Sequence, residues 1–194
     1  MVGALAWATA AVPVASASGS TATAEATFAG GCYWGVESVF LHVRGVKSAV
    51  SGFAVTVEGK ISSEDPGYVE AVRVRYDPSK VTYQQLLEIF FLVVHDPTQV
   101  GHQGPDHGLQ YRSVVFVNDS AERQVVQSFI DRLSADRRYP APIVTQLAGL
   151  KRFREADPDQ QNYAARHEDQ PYIIINDAPK LLELKKRFPT LAHD

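Results

Sequence analysis

Apolar and polar positions along the chain change rhythm in a way that separates strands from helices. "TATAEATF", ending at Phe28, alternates with period two and is rich in β-formers, so it reads as a strand. Gly30 and Gly31 break it, and Trp34, Glu37, Ser38 and Leu41 then follow at helical spacing. The unit is strand, turn, helix. "GVKSAVSGFAVTV" reads as a second strand, "EGKISSEDPG" as a loop, and "YVEAVRVRY" as a strand buried on both faces around Val69, Ala71, Val72 and Val74. Thr82 with Gln85 forms a capping box ahead of the helical run "YQQLLEIFFLVV". "HDPTQVGHQGPDHGLQ" has no periodicity and is dense in Gly, Pro, Asp and His, so it is a long loop of the size that carries function.

The remaining elements follow by the same reasoning. "YRSVVFV" is a strand, Asp119 with Glu122 caps the helix "SAERQVVQSFIDRL", and "IVTQL" is a short strand. "APKLLELKKRF" is an amphipathic helix closed by Pro189. Strands and helices are interspersed, with no internal repeat and no dinucleotide fingerprint. The fold expected is α+β: a single compact domain whose mainly antiparallel or mixed sheet carries packed helices in a two-layer, ferredoxin-like core.

Composition changes this picture at the ends and at sulfur. The chain of 194 residues is 45% hydrophobic and 21% charged, ordinary for a globular domain. Net charge is −3, and the 19 basic residues are spread from Arg44 onward with no stripe to grip phosphates, which argues against a nucleic-acid partner. Residues 1–22 are apolar and then small and polar, with Ala15-Ser16-Ala17 matching a signal-peptidase site, so they read as an export signal to the periplasm or beyond. The absence of a basic residue before Arg44 is atypical of such a signal; a disordered leader on a cytoplasmic protein is the alternative. The run is too short to span a bilayer, so no stable membrane association is expected, and residues 23–194 form the domain, expected as a monomer.

Cys32 is the only cysteine, which excludes an intramolecular disulfide and any cysteine-built metal site. At the start of a helix its thiol faces unpaired N–H groups and the positive end of the dipole, both of which favour thiolate. The preceding glycines let the backbone turn and let another molecule approach the sulfur, while Tyr33 and Trp34 offer rings that can hold a small apolar group. A free cysteine is ordinarily a small buried hydrophobe; the Gly-Gly and aromatic neighbours make a nucleophile the better reading here.

"GCYWGVESVF" resembles the GCFWGxE signature of the A-type methionine sulfoxide reductases. "PGYVEAVRVRYDP" resembles that family's TGHAEVVxVxYDP block, "LLEIFFLVVHDPTQVGHQGPDHGLQYRS" its LLxxFWxxHDPTxxNRQGxDxGxQYRS block, and "PKLLELKKRFP" its C-terminal helix, all in family order from Phe28 to Pro189. The resemblance implies reduction of the S-epimer of methionine sulfoxide, peptide-bound or free, with no cofactor and no metal. Cys32 would attack the sulfoxide sulfur and become a sulfenic acid. Glu70 would protonate the oxygen, with its pKa raised by burial between apolar neighbours. Tyr111 would hydrogen-bond the same oxygen, Asp106 would orient it from the floor of the site, and Tyr33 and Trp34 would seat the S-methyl group.

The sequence departs from that pattern in two places. Between the cysteine and the glutamate it lacks the family's second oxygen-binding tyrosine, a loss of about 1.5–3 kcal/mol if nothing replaces that bond. No resolving cysteine is present, so oxidised Cys32 would have to meet an external thiol, either thioredoxin-like, glutaredoxin-like or a small thiol. Near the C-terminus Gln160 stands where the family usually has His, and Tyr163 is retained. A diverged relative that binds methionine-like side chains without efficient turnover is the alternative function. Acyl transfer through Cys32 with His95 or His107 is a third, with nothing in the spacing to support it. His95, His102 and His107 with Asp96 and Asp106 lack metal-ligand spacing and read instead as partners that fix the loop delivering Tyr111.

Overall fold

The computed structural model describes residues 22–60 and 62–193. The leader expected over residues 1–22 therefore lies outside the described residues except for Ala22. In chain order come β1 (Ala24–Ala29), α1 (Tyr33–Leu41), β2 (Val46–Thr56), β3 (Val69–Tyr76) and α2 (Tyr83–Ile89), which runs on as a π-helical turn over Phe90–Val94. A two-residue hairpin follows, β4 (His102–Gln103) with β5 (Asp106–His107), then a 3-10 turn at Leu109–Tyr111, β6 (Val114–Phe116) and α3 (Ser120–Ala135). The C-terminal part holds β7 (Gln146–Ala148), β8 (Leu150–Glu155), α4 (Tyr163–Arg166), a second π-helical turn at Ile173–Asp177, and α5 (Ala178–Arg187).

The main sheet has the order β7-β6-β1-β3-β2-β8, with every neighbour antiparallel except the parallel pair β6 and β7. It is a mixed α+β fold, and the alternation in β3 shows how its faces are set. Val72, Val74 and Tyr76 join Ala26 and Phe28 in the main core, where Val36, Val39 and Phe40 of α1, Leu86 and Leu87 of α2, Phe129 of α3 and Leu184 of α5 cover them. Val69 and Ala71, one residue out of phase, face a smaller cluster with Ala29, Ala54, Val114 and Phe116. Glu70 shares the parity of Val72 and so lies on the helical side. Phe28 stacks between Phe40 and Phe90 at 5.1 and 5.0 Å, which ties β1 to both α1 and the end of α2.

Helix starts follow the capping signals with one change. Thr82 and Gln85 bond each other reciprocally, Gln85 N–H to Thr82 Oγ1 at 3.2 Å and Thr82 N–H to Gln85 Oε1 at 2.9 Å. Asp119 accepts Glu122 N–H at 2.8 Å, but the Glu122 carboxylate turns to Asn118 N–H at 2.9 Å instead of closing the box. Three expectations shift. The strand placed on "IVTQL" begins at Gln146, because Val144 N–H is taken by Pro97 O at 2.8 Å. The loop after His95 contains a hairpin, and β8 adds a strand on the free edge of β2 that the apolar pattern does not announce.

Candidate active site

The end of β1, the Gly30-Gly31 turn and the start of α1 place Cys32 at the helix N-cap, where its side chain caps nothing. Gly31 has φ +97°, a left-handed conformation that other residues resist, and a Cβ there would meet Gln103 Cγ at 2.6 Å. Gln103 is itself pinned by both ends of its amide to Asp96, accepting from Asp96 N–H at 3.0 Å and donating to Asp96 O at 2.9 Å. The space above this glycine, expected to admit another molecule, is thus filled by the protein's own loop.

Tyr33 N–H, one of the orphan donors of the first helical turn, donates to Glu70 Oε2 at 3.1 Å. This bond joins the cysteine turn to β3. Burial pushes the Glu70 carboxyl up to about 7, opposed by the Tyr33 bond and assisted by the charge of Asp106. Burial also raises the Cys32 thiol, and the charge of Glu70 raises it further. These outweigh the helix terminus, so the resting sulfur is a neutral thiol, where the helix position alone predicts thiolate. Tyr111 is pushed up to about 12 by burial and then by the charges of Glu70, Asp106 and Cys32, so the phenol stays protonated beside them.

Cys32 is 9% exposed and opens on a cavity of about 210 Å³ whose walls include His95, Gln103, Asp106, Tyr172, Asn176 and Lys180. Of the six residues singled out in the sequence, Cys32 and Asp106 line this cavity; Tyr33, Trp34, Glu70 and Tyr111 do not. The rings of Tyr33 and Trp34 sit 6.4 Å apart, tilted by 49°. Tyr33 packs edge-on against Phe53 at 5.7 Å, while Trp34 stacks on Tyr163 at 3.9 Å and donates from Nε1 to Gln160 Oε1 at 3.2 Å. Gln160 and Tyr163 therefore fix the indole.

Four contributors are missed by the sequence. Tyr172 donates to Asp106 Oδ2 at 2.5 Å, lines the same cavity as Cys32 and meets Trp34 edge-on at 5.8 Å. Glu37, 2% exposed, accepts Asn162 N–H at 2.8 Å and holds the segment that carries Tyr163; its carboxyl is pushed up to about 7 by burial. Arg112, paired with buried Asp65 at 3.1 Å, donates to Leu109 O at 2.7 Å and so clamps the turn that presents Tyr111. Glu37 had a readable signal, an acid within an otherwise apolar helical stretch; Tyr172, Arg112 and Asp65 had none.

The histidines act within the protein. His95 Nδ1–H donates to Phe90 O at 3.0 Å, and its Nε2 accepts from Ser113 Oγ at 2.7 Å, two residues from Tyr111. Burial pushes it down to about 4, so it is neutral. His102 donates to Val100 O at 3.0 Å and lies 5.6 Å from the ring of His107. Among the described residues no group of three or more His, Cys, Asp and Glu side chains is placed to hold a metal ion.

Comparison with known proteins gives this geometry a family. The model of the family described as peptide methionine sulfoxide reductase matches residues 24–191. A peptide methionine sulfoxide reductase MsrA 2 of Mesorhizobium japonicum is 46% identical over 171 residues, covering 86% of this chain and 88% of its own. Among solved structures, Mxr1 from Saccharomyces cerevisiae in reduced form is similar with a TM-score of 0.68 and 26% identity, over 76% of this chain and 87% of that one. Mxr1 in complex with Trx2 shares the fold at a TM-score of 0.53 and 22% identity, over 73% and 84% of the two chains. With a cysteine at a helix start whose next residue donates its N–H to a half-buried carboxyl on the sheet, and these relatives across most of its length, the chain belongs to the peptide methionine sulfoxide reductase family, as an oxidoreductase of the MsrA type.

Proposed function

We propose that the protein reduces the S-epimer of methionine sulfoxide in peptides through a sulfenic acid on Cys32, which an external thiol then removes. The observation that carries this reading is the Tyr33 N–H bond to Glu70, which sets a carboxyl pushed up to about 7 beside the cysteine turn. A carboxyl of that strength is protonated in a useful fraction at neutral pH and can hand its proton to an oxygen that becomes basic as its bond to sulfur weakens. Cys32 sulfur attacks the sulfoxide sulfur, oxygen passes to Cys32 with the proton from Glu70, and methionine leaves. Tyr111 supplies a second hydrogen bond to that oxygen, and the Tyr33–Trp34 pair, stiffened by Phe53 and Tyr163, seats the methyl group.

The chain has one cysteine, so no second thiol within it can resolve the oxidised form. An incoming thiol RSH therefore gives Cys32–S–S–R and water, and a further thiol releases Cys32. Support for a thioredoxin-like reductant comes from the yeast relative Mxr1, which is solved in complex with Trx2.

Incubation with a racemic methionine sulfoxide peptide and dithiothreitol tests the reading. Wild type should consume one epimer, the S form, and Cys32→Ser neither. A wild type inert toward both would leave a fold that binds methionine-like side chains without turnover, and would overturn the proposal.

A further inference from the structure

Cys32 rests as a neutral thiol, yet it must shed a proton to attack, and Glu70 cannot take that proton if it is to deliver its own to the sulfoxide oxygen. A separate exit is present on the cavity side. The Tyr172 hydroxyl donates to Asp106 Oδ2 at 2.5 Å and shares the cavity wall with the Cys32 thiol, so phenol and carboxylate form a bonded pair on the sulfur's open side. All three line the same cavity. The phenol is also held in place from two sides, since its ring meets Trp34 edge-on and Asn176 Nδ2 donates to its backbone carbonyl at 3.0 Å across the π-helical turn.

We propose that Tyr172 is a catalytic residue that carries the thiol proton of Cys32 to Asp106 as the sulfur attacks, an inference that rests on the sulfoxide-reducing function argued above. The Cys32 S–H bond breaks and its proton passes to Tyr172 Oη, while the phenol's own proton passes to Asp106 Oδ2. In the same event the sulfur bonds to the substrate sulfur, and Glu70 protonates the departing oxygen. Oxygen transfer oxidises Cys32 to S–OH by two electrons and reduces the sulfoxide to the thioether. Asp106 then holds the thiol proton and Glu70 lacks one; exchange with water restores both, so substrate plus thiol equals product plus sulfenic acid with no other reagent.

The groups facing the sulfur set what a pH profile can report. Glu70 comes from β3, Tyr111 and Asp106 from the hairpin and 3-10 turn, and Asp177 and Lys180 from the C-terminal helical segment, which also brings Tyr172. His95 and Asp96 stand on the cavity wall, with His95 neutral, and Tyr33 lies on the sulfur's own helix.

The test combines Tyr172→Phe, Asp106→Asn and the double variant in single-turnover reduction with the pH dependence of Cys32 alkylation by iodoacetamide. The relay predicts that each variant slows single turnover by about 10–100-fold, the range of one positioned proton transfer. It also predicts that the double variant is no slower than the worse single one, since the two groups act as a unit. The alkylation midpoint of Tyr172→Phe should move to higher pH, because the sulfur loses the phenol that turns from Asp106 to the thiolate once the thiol proton is shed. Losses that multiply in the double variant, or an alkylation midpoint identical to wild type, would overturn the relay. Alkylation needs no sulfoxide. A wild type that reduces neither epimer would sink the functional reading, while the alkylation profile would still judge the contact between Tyr172 and the thiol.

Discussion

Glu70 is a residue whose chemistry depends on its partial burial. The folded chain raises it from 4.5 to about 7, so between those values the native state keeps a proton that the unfolded chain has released. Its contribution to stability therefore falls as pH rises from about 4.5 through about 7. Glu70→Gln keeps an acceptor for Tyr33 N–H and removes the half-buried charge. Urea unfolding should show the variant more stable than wild type at pH 8 by about 1–3 kcal/mol, with that advantage gone at pH 5. An equal difference at both values would mean that Glu70 is not held protonated. His95 has the opposite sign. Its value is pushed down to about 4 from 6.5, so the stability it contributes is present above about 6.5 and lost as pH falls through about 4.

At the scale of elements, α1 is where the site is assembled, and its packing on the C-terminal segment is unusually close. A Cβ on Gly35 would stand 2.1 Å from Asp177 Oδ1 and 2.5 Å from Lys180 Nζ, the two members of an ion pair at 3.1 Å. Gly35→Ala should force that segment outward, costing about 1–3 kcal/mol in urea unfolding and moving Tyr172 away from Cys32. Full stability with unchanged turnover would show that the approach is not required. The clamp on Tyr111 is of another kind: Asp65 and Arg112 are both buried, and Asp65→Ala would leave the guanidinium without its partner. A loss of about 3–5 kcal/mol in chemical denaturation is predicted, and a near-neutral result would contradict the clamp. The sequence announced β1, β3, α2 and α3 because each carries a clean period and, for the helices, a cap. It concealed β8 because only Leu150 and Phe153 are apolar there, three residues apart, on a strand pairing along one edge with β2.

The whole molecule gathers residues 32, 70, 106, 111 and 172 from five separate segments. Composition and periodicity flagged Cys32 alone, by its uniqueness and its glycine and aromatic neighbours. Glu70, Asp106 and Tyr111 entered through the order of motif blocks that resemble a known family. Tyr172 escaped both routes: it lies in "QPYIII", which has no motif, and its reach to Cys32 depends on a π-helical turn and on the docking of α5 against α1, which no local pattern encodes.

The central claim is that Glu70 acts as an acid toward the oxygen that Cys32 accepts. It is tested most directly by rapid-quench single turnover, following sulfenic acid at Cys32 from pH 5.5 to 9 in wild type and Glu70→Gln. The account predicts a wild-type rate that falls as pH rises through about 7, with a Glu70→Gln rate at least about 100-fold lower and flat across the range. A wild-type rate that rises through the same interval, or a glutamine variant as fast as wild type, would contradict it.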